Sequence, residues 1–280
     1  LTIKYAGSQG TGAIHVENVS ADFPITNLTF ESNANSGIFL RGTYTAEIAN
    51  NTFTNNAGYG VVIQHSPNNT MSPNLHDNTY SGNNPNGIHL VPGAQGYLDK
   101  STTLTKDNAP YIVTENINVL SYPSVPTVVV TIQPGVELQF SPGFGLNFTH
   151  FGGPGGSVAL NAQGTQANQI VMTSNVVVPA PGDWRGLYFS DAIVGSLTHI
   201  DYLILRYAVN NNTPAIFADN VPAPFSLNHS TIQNNLNKGF YILNSSVNLT
   251  NNTISNNGTE GVYIEGKFSA NVTNNTISNS

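Results

Sequence analysis

Cysteine is absent from this 280-residue chain. That excludes disulfide staples and thiolate metal sites, and a large fold with a continuous core needs neither. Charge is scarce as well: Asp, Glu, Lys and Arg make up 8% of the residues, against roughly 25% in an ordinary globular chain. The eight cations (Lys4, Arg41, Lys100, Lys106, Arg185, Arg206, Lys238 and Lys267) are scattered. No basic stripe exists to neutralise phosphates, which excludes nucleic acid as a partner. Long hydrophobic runs are missing too. The longest, around Val125 to Ile132, is interrupted by Pro126 and falls far short of the roughly 18 residues of a membrane span. The start, Leu1-Thr2-Ile3-Lys4-Tyr5, has neither a Met nor a signal-peptide pattern. It reads as a processed N-terminus or as the interior of a longer polypeptide.

With so few charges, the surface must be made polar by other means. Asparagine supplies them: the chain holds 40, accompanied by Thr, Ser and Gly. These residues recur in register. Phe225 to Ile232 aligns with Val247 to Ile254 at an offset of 22, and Val272 to Asn279 follows 23 residues after its counterpart at Leu249. A glycine precedes an apolar run in each unit, as in Gly239-Phe240-Tyr241-Ile242 and Gly261-Val262-Tyr263-Ile264. The front repeats the design: Thr29-Phe30 precedes Gly37, Thr52-Phe53 precedes Gly60 at an offset of 23, and Thr79-Tyr80 precedes Gly87 at an offset of 27.

Such units alternate inward Ile, Val, Leu or Phe with outward Asn, Thr or Ser, the period of a strand. Asn-Asn and Gly punctuate them because these residues tolerate the left-handed backbone of tight turns. A unit of 22 or 23 residues is too short for a strand-helix-strand crossover, yet it fits three short strands and three turns. Stacked about 4.8 Å apart, such rungs pair each strand with its copies above and below. Ile232, Ile254 and Ile277 then form one internal stack. Asn234/Asn235, Asn256/Asn257 and Asn279 are expected to form an amide ladder at a turn, and Tyr241 to lie on Tyr263. The fold class is all-β, a parallel β-solenoid.

The repeat Asn251-Asn252-Thr253-Ile254-Ser255, followed by Gly261-Val262-Tyr263-Ile264, resembles the right-handed parallel β-helix repeats of secreted and cell-surface proteins from archaea and bacteria. Tyr111-Ile112-Val113-Thr114, Thr131 to Val136, Gln169 to Ser174 and Gly182 to Phe189 resemble the opening rungs of such domains. The resemblance implies a right-handed β-helix and an extracellular, cell-surface location; because one solenoid hosts lyases, hydrolases, adhesins and fibres, it leaves function open. Since Tyr111 reads as a fresh start, two consecutive solenoid blocks are expected, 1–98 and 110–280, joined by a polar linker at 99–109. Neither end shows a capping helix or a charged terminal segment, although terminal repeats need caps. The expectation is a piece of a longer polypeptide, or open ends that stack head to tail on copies of the same chain or on other surface proteins.

Thirteen Asn-X-Ser/Thr sequons mark candidate N-glycan sites: Asn18, Asn27, Asn50, Asn68, Asn147, Asn211, Asn228, Asn244, Asn248, Asn251, Asn257, Asn271 and Asn274. A composition this rich in Asn, Ser and Thr generates on the order of ten such triplets by itself. Asn251 is expected in the amide ladder, and Asn68 and Asn211 in exposed loops.

Catalysis leaves little trace. Glycoside hydrolysis needs paired carboxylates about 5–9.5 Å apart, and Asp183, Asp191 and Asp201 share a region without forming a cluster. Asp183-Trp184-Arg185-Gly186 reads as a turn with Trp184 packed inward. His65, His76 and His89, with Asp77 adjacent, fall in neighbouring rungs but not at equivalent positions, so they read as turn or surface residues; no cofactor or metal is expected. Tyr5, Tyr59, Tyr80, Tyr97, Tyr188, Tyr241 and Tyr263 are candidate platforms for sugars. The leading expectation is a non-enzymatic surface component: a glycosylated filament subunit, surface-layer module or adhesin stalk. A glycan-binding adhesin comes second and a divergent carbohydrate-active enzyme third. Matching ends favour the filament, a row of outward aromatics the binder, and acids clustered across rungs the enzyme.

Overall fold

Alternation along each short segment sets the architecture. In Val247–Thr250, Val247 and Leu249 are fully buried while Asn248 and Thr250 face outward; Phe240–Leu243 and Phe225–Asn228 do the same. A strand with one apolar face cannot bury it alone, so the segments coil round a shared core and every named strand pairs in parallel with its copy one turn away. The computed structural model describes residues 1–7, 10–19, 21–93, 96–122, 126–150, 156–209, 213–267 and 271–280. Among them a 3-10 turn, Gly195–Leu197, interrupts the succession of strands.

Five parallel sheets form the walls. Sheet A holds four strands, from Thr2–Lys4 to Thr79–Ser81, and sheet C three, from Phe23–Thr26 to Met71–His76. Sheet B runs from Ile14–Glu17 to Thr276–Ser278 with eleven strands, one per turn. Sheets D and E hold seven strands each, from Tyr97–Leu98 to Val262–Glu265 and from Thr102–Leu104 to Val272–Thr273. The core is a set of columns along the axis: Ile232, Ile254 and Ile277 are register partners as expected, and Phe30, Phe53 and Tyr80 stack at centroid separations of 5.0 and 5.1 Å.

The corners divide their labour between neighbouring asparagines. Asn234, Asn256 and Asn279 hold the left-handed turn, with φ of 56°, 53° and 51°. The ladder belongs to the next residue in each rung: Asn235 Nδ2 donates to Asn257 Oδ1 at 2.8 Å, and Asn257 Nδ2 to Ser280 Oγ at 3.5 Å. Of the residues expected in the ladder, Asn234, Asn256 and Asn279 therefore stand outside it. Two more ladders run in the first half, Asn33–Asn56–Asn83 and Asn51–Asn78–Asp107. They satisfy carbonyls that corners leave unpaired, as Asn78 Nδ2 does for Ile48.

Residues 99–109 are not the expected linker. They carry the strand Thr102–Leu104 and the buried Asp107, and sheet B passes this point unbroken because Ile88–Val91 pairs with Tyr111–Val113. The two blocks are one hydrogen-bonded body here, with a slip of phase. Before the junction a rung visits sheets A, B and C; after it, B, D and E. The rung between has four strands: Thr79–Ser81, Ile88–Val91, Tyr97–Leu98 and Thr102–Leu104. Sheet C stops at Met71–His76 although Thr102–Leu104 packs beside it. Leu75 turns its N–H and carbonyl to the Thr105 hydroxyl on that side. Pro73 shares the parity of Leu75, so it offers no N–H where the ladder would continue.

Candidate functional site on the outer face of sheet D

In sheet D the inward residues are Leu146/Phe148, Leu187/Phe189, Ile216/Ala218 and Phe240/Ile242, all buried. The residues between them therefore point outward, and their register makes one row: Asn118, Asn147, Tyr188, Phe217, Tyr241, Tyr263. Phe217 and Tyr241 lie flat on each other at 4.8 Å and 11°. The end rings turn away: Tyr188 lies 5.6 Å and 61° from Phe217, and Tyr263 lies 5.1 Å and 64° from Tyr241. Tyr188 donates to Asp219 Oδ2 at 3.0 Å and Tyr241 to Glu265 Oε2 at 2.6 Å. Burial, then the Asp219 carboxylate, pushes the Tyr188 phenol up to about 12. The hydrogen bond to Glu265 does the same for Tyr241. Both are neutral donors at ordinary pH. Lys238 Nζ lies 5.0 Å from the Tyr263 centroid and 3.1 Å from Glu260.

Where Tyr188 turns from Phe217 the row opens into a recess of about 330 Å³, lined by Asn147, Arg185, Gly186, Leu187, Tyr188, Thr213, Pro214 and Phe217. Gly186 sets its floor. It has φ +92°, and a Cβ there would lie 2.3 Å from the Ala215 carbonyl, so only glycine allows the strand to approach. Arg185 follows Trp184, which does pack inward: it is fully buried, stacks on Phe140 at 4.3 Å and 7°, and donates Nε1 to the Arg206 carbonyl at 2.8 Å. The buried indole fixes the backbone from which Arg185 emerges, exposed.

The structure separates the other candidates. His65 is buried, with Nε2 2.8 Å from Asp99 Oδ1. His76 is bound to Asp77 and Glu47 at 2.8 and 3.5 Å. His89 stacks on Tyr59 at 4.3 Å and meets Thr114 Oγ1 at 2.8 Å. Burial lowers the pKa of both His65 and His89, the latter to about 4. Asp183 accepts from the Ala180 amide, Asp191 pairs with His150 and Asp201 with His229. Among the described residues no group of three or more His, Asp or Glu is placed to hold a metal. Tyr80 belongs to a core stack, and Tyr5 lies exposed near the N-terminus. Phe217 went unremarked in the sequence, although Ile216 and Ala218 on either side signal its direction.

The model of the right-handed β-helix region matches residues 11–177 and 214–280. The chain belongs to the right-handed β-helix family. No curated protein matches it. A solved structure resembling this β-helix is the "Catalytic domain of GH87 alpha-1,3-glucanase in complex with nigerose", at 11% identity and a TM-score of 0.36 over 98% of this chain. The β-helix spans 62% of that chain's length, and a likeness at this level bears on neither activity nor ligand.

Corner geometry also explains where the sequons of this β-helix fall. Asn18, Asn27, Asn50, Asn68, Asn244, Asn251 and Asn274 are exposed, and all have φ between 45° and 64°. In Asn50-Asn51-Thr52, Asn251-Asn252-Thr253 and Asn274-Asn275-Thr276, the first residue takes the left-handed corner, the second enters a ladder and the Thr opens the next strand. The solenoid thus writes the triplet for its own reasons. Asn251 lies outside the ladder, contrary to expectation, and Asn252 occupies it. Asn257 is the buried ladder member. Asn271 is exposed, and Asn147, Asn228 and Asn248 are half-buried. Asn211 lies outside the described residues.

Proposed function

We propose that this β-helix is a non-catalytic extracellular surface scaffold that holds saccharide chains against sheet D. The observation that carries the reading is the registered outward row from Asn118 to Tyr263, with the recess beside Tyr188 and Phe217. Sugars offer apolar C–H faces and polar rims, and aromatic bodies with phenol or amide tips match both. Asn147 commits its Nδ2 to Asn118 Oδ1 at 2.8 Å, so its Oδ1 is the atom left to accept a sugar hydroxyl. A glycan attached to Asn147 would fill the recess, so ligand binding and modification exclude each other at that residue. The polar, weakly charged surface supports an extracellular setting, and the exposed corner asparagines are the places where N-glycans would attach.

Glycan-array binding of the intact protein, repeated with Tyr188→Ala, Phe217→Ala and the distant Tyr5→Ala, is the test. Each recess substitution is expected to weaken binding about tenfold, a loss of about 1.4 kcal/mol, while Tyr5→Ala has no effect. Absence of saccharide binding, or binding that survives both recess substitutions, defeats the reading.

A further inference from the structure

The recess contains a cation in a chain that has few. Of the three arginines, Arg41 lies 3.7 Å from Glu17 Oε1. Arg206 sits over the Tyr207 ring at 5.4 Å, with Nε 3.4 Å from Thr173 Oγ1. Arg185 lines the recess beside Tyr188 and Phe217 and, among the described residues, has no carboxylate partner. The neighbouring acids are otherwise engaged: Asp219 accepts from Tyr188 and Asn220, Asp183 from the Ala180 amide, and Asp191 faces His150 at 3.0 Å. A guanidinium presents a planar fork of donors that matches carboxylate and sulfate oxygens two at a time. Such a fork on the wall of an aromatic recess selects for charge in what the rings hold.

We infer that the recess takes an anionic saccharide, with the Arg185 guanidinium paired to a carboxylate or sulfate on a sugar ring that packs against Tyr188 and Phe217. This rests on the saccharide reading above and narrows it to a ligand class. The net charge of −7 opposes such a ligand at long range. At physiological ionic strength charges beyond about 8 Å are largely screened, so the local pairing decides. Arg185 is held by the buried Trp184 before it and by its own N–H, which donates to the Phe144 carbonyl at 2.8 Å, so the fork starts from a fixed backbone.

Dextran, carboxymethyl-dextran and dextran sulfate share one backbone and differ in charge; alginate and chondroitin sulfate add chains that are charged by nature. Binding of each to the intact protein is measured at two salt concentrations, for the wild type, Arg185→Gln, Arg185→Lys and Phe217→Ala. The expected result is that at least one charged polymer binds about tenfold or more tightly than dextran. That advantage disappears in Arg185→Gln, partly survives in Arg185→Lys and shrinks with salt. Whether the carboxylate or the sulfate series responds tells the two sources apart. An advantage that persists in Arg185→Gln, equal binding of charged and neutral polymers, or no binding of any charged polymer overturns the inference. If neutral binding is still lost in Phe217→Ala, the recess stands as a saccharide site and only its anion preference falls. If Phe217→Ala changes nothing, both fall.

Discussion

Replacing Asn78 by Ala tests whether the amide ladders hold the rungs together. Asn78 is fully buried; its Oδ1 accepts from Asn51 N and Nδ2 at 2.9 and 3.0 Å, and its Nδ2 donates to the Ile48 carbonyl at 2.7 Å and to Asp107 Oδ2 at 2.8 Å. Removing the amide strands two donors of Asn51 and the carbonyl of Ile48. Asp107 keeps the Tyr80 hydroxyl and the amides of Asn78 and Asn108, so its loss is partial. At about 1–3 kcal/mol for each orphaned buried group, and allowing for relaxation, the cost comes to about 3–6 kcal/mol. That is a large part of the 5–15 kcal/mol typical of a folded domain. Guanidinium unfolding followed by circular dichroism measures it, with amide exchange at Asn51 and Ile48 as the local readout. Asn50→Gly is the control: the exposed neighbour only supplies a φ of 56°, which glycine tolerates, so the expected change is within about 0.5 kcal/mol. Asn78→Asp sharpens the test. It sets a carboxylate against Asp107, and the variant should be weakest at neutral pH and recover as acid protonates one of the two. If Asn78→Ala costs less than about 1 kcal/mol, the ladders are passengers and the argument is refuted.

Acid should weaken the fold through its buried histidines. His89, half-buried against Tyr59, has its pKa lowered to about 4 by burial, below the roughly 6.5 of an unfolded histidine. The unfolded chain therefore binds the proton first. The contribution is intact above pH 6.5 and is lost as pH falls toward 4, a drop of about 2–3 kcal/mol. Urea unfolding at pH 7 and pH 4.5 should show it, and His89→Gln should flatten the difference; an unchanged slope in that variant would count against the account. The single tryptophan gives another check. Trp184 is fully sealed against Phe140, so native emission should be blue-shifted and resistant to iodide, and Trp184→Ala should cost about 3–5 kcal/mol. Iodide quenching of the native protein would contradict the packing described.

Much of the solenoid was legible because repetition converts directly into register. The Ile232, Ile254 and Ile277 column and the register of Tyr241 with Tyr263 follow from equal spacing alone, although the two rings meet edge-on at 64° and not in the expected stack. Other features were hidden for identifiable reasons. Ladder and corner positions are both asparagine, so composition cannot distinguish Asn235 from Asn234; only strand parity does. Asp99 meets His65 across 34 residues, with no local signal at either. The phase slip depends on which copy each strand pairs with, and Pro73 reveals it only once its neighbour Leu75 is seen to face the next turn. Phe217 lies in a unit that lacks the glycine signature, and Arg185 looked like one more turn residue until Asn147 and Tyr188 were placed beside it.

The four-stranded rung has a consequence for the molecule's outline. In stacked repeats, insertions at a given point of the motif emerge along one side and build one working flank. Here the motif slides by one wall midway, so loops at the same repeat position leave the front half in one compass direction and the back half in another. A partner lying along the rod would meet two flanks written in the same residues but facing different ways. Lengthening the corner after Asn56 and the corner after Asn257 would place the additions on different sides of one shaft.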